Sequence, residues 1–272
     1  MSSDEPTIEQ AARLLCQART RRTPFERFPP ACAPADEREA YGVQAALHRC
    51  LTAAGWGEVV GYKIGCTTPV MQAYLGIPNP CAGGLFASTV QHERGTLPRD
   101  QCIRVGVECE IAVALRADLP PAGAPYDRAR VAAAVRACMA AIEVVDDRYV
   151  DYRSLDTPTL IADDFFGAGC VLGRPHDGFD PFALASVTAT MRIGGETVGS
   201  GTGTDILGHP LDALVWLANS MADRGLALRA GEVVLLGSLV QTHWLEPGDT
   251  VAIANEPLGE AWLELELASA SL

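Results

Sequence analysis

Three glutamates stand in stretches of sequence that are otherwise apolar. Glu108 and Glu110 lie in the run VGVECEIAVAL (105–115), and Glu143 lies in AAIEVV (140–145). Alternate residues of a β-strand share a face, so Glu108 and Glu110 point to the same side among small residues. Neighbouring carboxylates on a half-buried surface repel and need protons, basic partners or a cation. A hard divalent metal such as Mg²⁺ or Mn²⁺ prefers oxygen ligands and meets that need. An E-x-E pair alone would favour a solvated strand face, and the third acid shifts the interpretation to a metal site.

A lysine interrupts another apolar run, which is flanked by glycines. Residues 59–68 read VVGYKIGCTT, which predicts a strand that carries Lys63. This segment alone leaves two interpretations open. In one, the lysine side chain extends to water or pairs with an acid. In the other, it faces the glutamates and acts as an acid/base or binds an anionic substrate.

Two polar clusters follow the third glutamate. Asp146, Asp147 and Arg148 come directly after its strand. Such a cluster is usually a turn with a surface salt bridge of little energetic value, whereas beside a metal it would orient the ligands. Residues 163–167 read DDFFG between apolar stretches. They either border a pocket or turn a corner of the chain.

The composition describes an acidic globular chain. Of its 272 residues 48% are hydrophobic, which is ample for a folded core. The net charge, 21 − 34 = −13, repels nucleic-acid backbones and anionic membranes. No apolar run approaches the ~18 residues of a membrane span, and the opening residues lack the segments of a secretion signal. We therefore expect no nucleic-acid or membrane partner and a cytoplasmic location.

Helices are predicted mainly in the first half of the chain and strands in the second. Apolar residues at helical spacing and helix-favouring composition predict helices over residues 7–22, 40–51, 69–75 and 126–140. A hairpin is predicted with its turn at Gly194-Gly195, and a helix is predicted to begin at His209-Pro210. The nine cysteines are scattered without a C-x-x-C pair, which favours reduced thiols over disulfides or a zinc site.

The sequence lacks the motifs of two common classes of site, the nucleotide site and the serine hydrolase site. The glycines at 199, 201 and 203 do not match G-x-G-x-x-G and follow a hairpin, so they do not indicate a nucleotide site. The chain also lacks the G-x-S-x-G motif of serine hydrolases.

Taken together, these stretches resemble a known family. In order and spacing they are similar to the 2-hydroxypenta-2,4-dienoate (2-keto-4-pentenoate) hydratases and their decarboxylase relatives, within the fumarylacetoacetate hydrolase superfamily. The matching stretches are GYKIG (61–65) with Thr67, VECEIA (107–112), AIEVVD (141–146) with Arg148, IAD (161–163), HPLDALVWLAN (209–219), and AGEVVLLGSL (230–239) continuing to EPGD (246–249). They cover nearly the whole chain.

The resemblance implies an architecture and a cofactor. The expected fold is α+β, with a mixed β-barrel-like core of the fumarylacetoacetate hydrolase C-terminal type and flanking helices. Residues 1–57 would form a helical N-terminal portion, and residues 58–272 a β-rich catalytic core that is one structural unit. The resemblance also implies Mg²⁺ or Mn²⁺ held by Glu108, Glu110 and Glu143, a homo-oligomer, and a possible complex with a pathway enzyme.

The resemblance further implies the chemistry. A 2-oxo acid or its enol would chelate the metal, which stabilises negative charge on the 2-oxygen. Lys63 would be the acid/base, and Thr67, Asp163 and Ser238 would bind the substrate. The first hypothesis is a hydratase that adds water to a 2-hydroxy-2,4-dienoate to give a 4-hydroxy-2-oxo acid. The second is a decarboxylase of a 2-oxo-dioic acid such as 4-oxalocrotonate, and the third is a non-catalytic subunit of the same fold.

Two stretches depart from the family pattern. Hydratases of this group usually carry Pro-Asp-aromatic-Gly where this chain reads Pro80-Cys81-Ala82-Gly83, and Asp-Asn-Ala-Ser where it reads Asp163-Asp164-Phe165-Phe166. The first change removes a carboxylate that could transfer protons, and the second replaces small polar residues with aromatic ones. We therefore expect an intact metal centre with an altered substrate end.

Overall fold

The fold consists of two mixed β-sheets with helices packed around them. The structure is a computed structural model that describes residues 5–68, 72–73 and 76–267. The helix predicted over residues 69–75 falls largely on the gaps between these ranges, and so lies for the most part outside the described residues. None of the described helices combines the length and the apolar character that a bilayer crossing would need.

The four α-helices that follow the first one begin behind a capping side chain. The Asp36 side chain accepts a hydrogen bond from the Glu39 amide at the start of the second helix, and the His209 side chain accepts one from the Leu211 amide at the start of the fifth. The predicted helix start at His209-Pro210 is therefore confirmed. The α-helices are α1 (Glu5–Arg21), α2 (Glu37–Leu51), α3 (Arg128–Ala134), α4 (Thr157–Ala162) and α5 (Pro210–Asp223).

The described strands range from two to 12 residues in length. They are β1 (Val59–Gly65), β2 (Cys81–Phe86), β3 (Val90–His92), β4 (Arg94–Leu97), β5 (Val105–Leu115), β6 (Val135–Asp146), β7 (Gly167–Leu172), β8 (His176–Asp177), β9 (Thr188–Ile193), β10 (Glu196–Thr202), β11 (Val233–Ser238), β12 (His243–Trp244), β13 (Thr250–Glu256) and β14 (Gly259–Leu265). The predicted hairpin is confirmed, because β9 pairs with β10 across Gly194 and Gly195, which both have positive φ.

The strands form two open sheets. The larger has the order β2-β1-β11-β5-β6-β7-β3, with β12 paired to β5 and β8 to β6, and the smaller has the order β10-β9-β13-β14-β4. Among the described strands neither sheet closes on itself, so the expected barrel-like core is wrong. The physical reason is that β13 and β14 pack against β6, so apolar faces are covered by sheet-on-sheet packing and not by closure.

The centre of the larger sheet is the antiparallel pair β5–β6. Its ladder runs from Val105 opposite Asp146 to Leu115 opposite Val135. The helix predicted over 126–140 is therefore wrong beyond Ala134. Residues 135–140 are rich in alanine, which suits a helix, but β5 offers them a complete strand partner, and tertiary pairing overrides the local preference.

A disulfide joins the two N-terminal helices to each other, and a buried ion pair joins α1 to Asp163 at the end of α4. Cys16 of α1 and Cys50 of α2 form a disulfide, so the expectation of reduced thiols is wrong for this pair, which packing of the two helices brings together. Arg19 of α1 donates from Nε to Asp163 Oδ1 over 2.6 Å, and both side chains are buried. The division of the chain at residue 57 stays a prediction.

Replacing Arg19 should destabilise the fold far more than replacing a matched surface arginine. Arg19→Met removes the cation that two buried carboxylates, those of Asp163 and Asp164, share, so we expect the free energy of unfolding to fall by about 3–5 kcal/mol. Arg49→Met removes an exposed pair between α1 and α2, Arg49–Glu9, and should cost less than about 1 kcal/mol. Urea unfolding of both variants measures the difference, and equal small losses would contradict a structural role for the buried pair.

Candidate metal centre

The structure brings the three predicted glutamates together on one face of the larger sheet. Glu108 lies directly opposite Glu143 in the β5–β6 ladder, and Glu110 follows on the same face of β5. One carboxylate oxygen from each residue lies within 4.8 Å of the others. Glu110 and Glu143 are each only 1% exposed, and Glu108 is half-buried. The same face continues into a small apolar cluster, so solvent does not screen the two inner carboxylates.

Backbone and hydroxyl donors fix two of the three carboxylates. The Gly237 amide donates to Glu110 Oε2 over 2.6 Å, and the Thr242 hydroxyl donates to Glu108 Oε1. Gly237 has a φ of 134°, and a Cβ there would lie 2.3 Å from Thr67 Oγ1. Only glycine therefore fits at 237, where the backbone must approach both Thr67 and Glu110.

Burial and mutual repulsion make these carboxylates hard to ionise. Desolvation, then the charges of Glu143 and Glu108, raises the pKa of Glu110 well above its usual range. Desolvation raises the pKa of Glu143 to about 7, although Lys63 opposes that rise. Glu110 Oε1 is buried without a hydrogen-bond partner in the described part of the chain. A buried acceptor in this state calls for a cation.

Lys63 projects from β1 into the same cluster. Its Nζ lies 3.0 Å from Glu143 Oε1, and the residue is 3% exposed. Of the two interpretations open from the sequence, the side chain therefore does not extend to water. Burial lowers the pKa of Lys63, but Glu143 and Glu108 raise it by more, so the net pKa lies above its ordinary value. Lys63 is also the single lysine of the chain.

The donor set fits a hard divalent cation. Three carboxylates carry three formal negative charges, the Lys63 ammonium carries one positive charge, and the difference is 3 − 1 = 2 negative charges. Mg²⁺ and Mn²⁺ favour oxygen ligands and small sites that also admit water or substrate oxygens. The partnerless Glu110 Oε1 is an acceptor that such an ion would satisfy.

Comparison with known proteins identifies the family. A model described as fumarylacetoacetate (FAA) hydrolase C-terminal matches residues 79–263. The chain belongs to that family. A 2-keto-4-pentenoate hydratase from Paraburkholderia phymatum is 36% identical over 259 residues, covering 94% of this chain and 97% of the relative. One from Burkholderia vietnamiensis is 35% identical, covering 95% and 97%. The resemblance in the sequence is thus confirmed.

A solved structure of the same group agrees closely with this FAA hydrolase family member. The 4-oxalocrotonate decarboxylase from Pseudomonas putida G7, complexed with magnesium and adipate, gives a TM-score of 0.89 at 26% identity. The match covers 96% of this chain and 98% of that chain. That neighbour holds a divalent metal, which agrees with a divalent cation in this family.

Two of the three residues expected to bind substrate, Thr67 and Ser238, lie close to Glu110 in this chain. Thr67 is buried against the Gly237 Cα, and Ser238 lies opposite Glu110 in the β11–β5 ladder. The Ser238 hydroxyl donates to the Val240 carbonyl over 2.5 Å. The Gly237 amide is engaged by Glu110, so it is not free for a substrate carboxylate. The substrate roles of Thr67 and Ser238 stay predictions.

Asp163 is engaged by other residues of the protein. Its Oδ2 accepts from Arg148 Nε over 3.1 Å and from the Tyr149 hydroxyl over 2.9 Å, and Arg19 holds Oδ1. Both oxygens of this carboxylate thus already bind donors of the protein, and the substrate-binding role expected for Asp163 stays a prediction. The long-range partners Arg19 and Tyr149 could not be read from the local sequence.

Sequence reasoning missed the donors that orient the ligands. Thr242 holds Glu108, and the Asn255 side chain donates to the Glu110 carbonyl over 2.7 Å. Asn255 is fully buried in a strand, where an amide side chain needs partners. An asparagine at an inward position of an alternating strand could have indicated the role of Asn255. Nothing in the sequence distinguished Thr242 from other polar residues.

Removal of one carboxylate should abolish tight metal binding while the fold survives. Glu110→Gln deletes a ligand charge but keeps the shape of a side chain that already resists ionisation. We expect Mn²⁺ affinity to fall at least about 100-fold by calorimetry, with no loss of stability in the metal-free protein. Glu264→Gln, at an exposed position of β14, is the matched control and should bind Mn²⁺ normally. Unchanged affinity in Glu110→Gln would remove the ligand assignment.

Metal affinity should weaken as the pH falls through neutrality. In the metal-free protein the pKa of Glu143 is about 7 and that of Glu110 is also raised. Below about pH 7 these carboxylates therefore carry protons that the metal must displace. We expect weaker Mn²⁺ binding at pH 6 than at pH 8, and proton release that calorimetry detects in buffers of different ionisation enthalpy. Binding that releases no protons at pH 6 would contradict the raised pKa values.

Proposed function

We propose that this chain is a divalent-metal-dependent hydratase that adds water to a 2-hydroxy-2,4-dienoate to give a 4-hydroxy-2-oxo acid. The observation that carries the proposal is the three-glutamate cluster with the Lys63 ammonium against one of its members. The names of the two hydratase relatives, which match nearly the whole chain at 36% and 35% identity, support the reaction type.

Glu108, Glu110 and Glu143 would hold the ion, which we propose is Mg²⁺ or Mn²⁺. When bound, it supplies a Lewis acid that stabilises negative charge on the 2-oxygen of the substrate. The β5–β6 ladder fixes the spacing of Glu108 and Glu143, and the Gly237 amide orients Glu110. These contacts preorganise the carboxylates, so little rearrangement is needed on binding.

Lys63 would donate and accept the protons of the reaction. Its raised pKa makes Nζ an ammonium at neutral pH, so it can give a proton to the distal carbon, C5, of the dienol. The 2-hydroxyl group loses its proton in the same step, which gives an unsaturated 2-oxo acid. Water then adds at C4, the neutral amine accepts the proton that this water loses, and C3 takes up a proton equivalent to the one that left the 2-hydroxyl group. The two transfers at Lys63 restore the ammonium, and the net change is the addition of one water.

Thr67 and Ser238 would contact the carboxylate end of the substrate. Thr67 packs against Gly237, one residue from Ser238, so both lie on the Glu110 side of the cluster. The Ser238 hydroxyl would have to leave the Val240 carbonyl to donate to a substrate carboxylate. A homo-oligomer, a complex with a pathway enzyme and a cytoplasmic location also belong to this proposal, on the strength of the family resemblance.

A second candidate is a decarboxylase of a 2-oxo-dioic acid. The observation that favours it is the structural neighbour, a 4-oxalocrotonate decarboxylase whose structure holds magnesium and adipate, itself a dioic acid. The same arrangement of carboxylates and lysine suits either reaction, since each needs negative charge stabilised on the 2-oxygen. The two differ in what stands at the distal end of the substrate.

Parallel assays separate the candidates. The metal-free protein receives Mg²⁺ or Mn²⁺ and then either 2-hydroxypenta-2,4-dienoate or 4-oxalocrotonate. Ultraviolet absorbance follows the conjugated diene, and a linked assay detects CO₂. We expect metal-dependent loss of the diene without CO₂. Release of CO₂ from the dioic acid would make the chain a decarboxylase. No reaction of either substrate in the metal-loaded protein would point to a different 2-oxo acid or to the non-catalytic subunit.

Lys63 variants should separate proton transfer from charge. Lys63→Met removes the acid, and Lys63→Arg keeps a positive charge that cannot give up its proton. We expect both to lower kcat by about 10²–10⁴-fold. Metal affinity should not fall in Lys63→Met, because a competing cation has been removed. Activity retained in Lys63→Arg would mean that the positive charge of Lys63 matters and its proton does not. A loss of metal affinity with unchanged kcat in the metal-saturated variant would mean that Lys63 only supports the metal site.

A further inference from the structure

A strained segment lies next to the lysine. Asp164, Phe165 and Phe166 are three consecutive residues with positive φ, of 56°, 48° and 65°. None is glycine, and bulky side chains rarely adopt this left-handed region. Runs of such residues persist only where the surroundings impose them, and they concentrate at functional sites. Two questions follow: which contacts impose this conformation, and where it places the Phe165 ring.

The segment is anchored on both sides of Phe165. The Asp164 carboxylate accepts from the His48 ring over 2.6 Å and from the Gly84 amide over 2.9 Å, and lies 3.0 Å from Arg19 Nη1. On the other side, Phe166 packs edge-on against two tyrosine rings at 5.2 and 5.4 Å, those of Tyr149 and Tyr152. These contacts fix the backbone on either side of Phe165 and leave its ring little freedom.

The ring of Phe165 is held against Lys63. The ring centroid lies 5.3 Å from Lys63 Nζ, and Phe165 is buried. Gly65 makes room for this arrangement, because a Cβ there would lie 3.3 Å from Phe165 Cδ1 and 3.4 Å from Lys63 Nζ. The ammonium thus has a carboxylate on one side and an aromatic ring on another.

The position of this ring limits what the substrate can carry. If Lys63 gives its proton to the distal carbon, that carbon lies within hydrogen-bond reach of Nζ, about 3 Å. The ring centroid lies 5.3 Å from Nζ, so a group on that carbon can come into contact with the Phe165 ring. A hydrogen or a methyl group gains apolar contact there. A carboxylate would be desolvated against the negative face of the ring.

The nearby arginines do not offset that penalty. Arg148 is engaged by Asp163 and by the Gly167 carbonyl, which accepts from its Nη2 over 2.7 Å. Arg19 is engaged by Asp163 and Asp164. Drawing either cation toward a substrate carboxylate would break a buried ion pair, which is unfavourable.

We propose that Phe165 is a specificity-determining residue that selects 2-hydroxydienoates with a hydrogen or small alkyl group at the distal end and rejects those with a second carboxylate there. This inference rests on the proposed function, because it uses the proton transfer assigned to Lys63. It deepens that function by naming the substrate class, the monocarboxylates.

The first test measures binding and needs no turnover. The Mn²⁺-loaded protein is titrated calorimetrically with 2-oxopentanoate, a monoacid, and with 2-oxohexanedioate, which carries a second carboxylate at its far end. We expect the monoacid to bind at least about tenfold more tightly. In Phe165→Ala this ratio should fall to within about threefold, mainly through tighter binding of the diacid.

The matched control is the neighbouring phenylalanine. Phe166→Leu changes the same residue type in the same left-handed run. It alters the edge-on contacts with the two tyrosine rings and with the Phe165 ring, at 5.6 Å, but it removes no contact to Lys63. It should lower stability and keep the binding ratio of the wild type. A ratio that changes equally in both variants would overturn the assignment to Phe165.

A second test reads the contact itself. Because Lys63 is the single lysine, protein labelled with ¹³C-lysine gives one lysine signal set, which the ring current of Phe165 shifts. In the Mg²⁺-loaded protein we expect this shift to collapse in Phe165→Leu and to persist in Phe166→Leu. A shift that is unchanged in Phe165→Leu would show that the ring does not face the lysine.

The outcomes separate this inference from the proposed function. Equal binding of monoacid and diacid by the wild type overturns the role of Phe165, even if Phe165→Ala does not fold. Preference for the monoacid without hydration of any dienoate overturns the hydratase and leaves the selectivity of Phe165 standing. Hydration of a dienoate together with tight binding of the diacid supports the hydratase and overturns the selectivity assigned to Phe165.

Discussion

Three carboxylates beside one ammonium, two of them buried and one half-buried, are the constraint on which the rest of this structure depends. An ionised carboxylate is costly to remove from water, and like charges increase that cost. Glu110 and Glu143 remain there because two long strands hold them and because Lys63 and Gly237 supply donors. The two charges left unbalanced make the face an electrostatic partner for a divalent cation. Metal affinity and the stability of this face are consequently linked.

A second buried network connects the N-terminal helices to that site. Asp163 and Asp164 are adjacent in sequence and share Arg19, while Asp163 also bonds Arg148 and Asp164 bonds His48. These charges pair with one another inside the protein. They fix the segment that follows, and since that segment reaches Lys63, the helices become part of the support of the active site. A buried ion network of this kind contributes position more than stability, because desolvation offsets much of its attraction.

Local patterns predicted what depends on neighbours in sequence, and failed where distant segments decide. Alternation around Glu108 and Glu110 placed both on one face, as the structure has them. Residues 135–140 were predicted to be helical because alanine favours a helix. The residues of β5 that pair with them and make them a strand lie some 25 positions earlier in the sequence. Asp163 matched a family stretch, yet its arginine and tyrosine partners come from elsewhere in the fold. Thr242 is an ordinary polar residue until the fold sets it against Glu108.

The metal centre by itself does not choose between hydration and decarboxylation, because both need charge stabilised on the same substrate oxygen. The choice must therefore depend on residues that meet the far end of the substrate. Holding Phe165 in a left-handed conformation costs about 1–3 kcal/mol, and its two neighbours share that conformation. Such a segment is retained only when its contacts compensate, and those contacts aim the ring at Lys63. The strain is thus evidence that the position of the ring matters, and an apolar ring in that position favours the addition of water to a monoacid over the loss of CO₂ from a dioic acid.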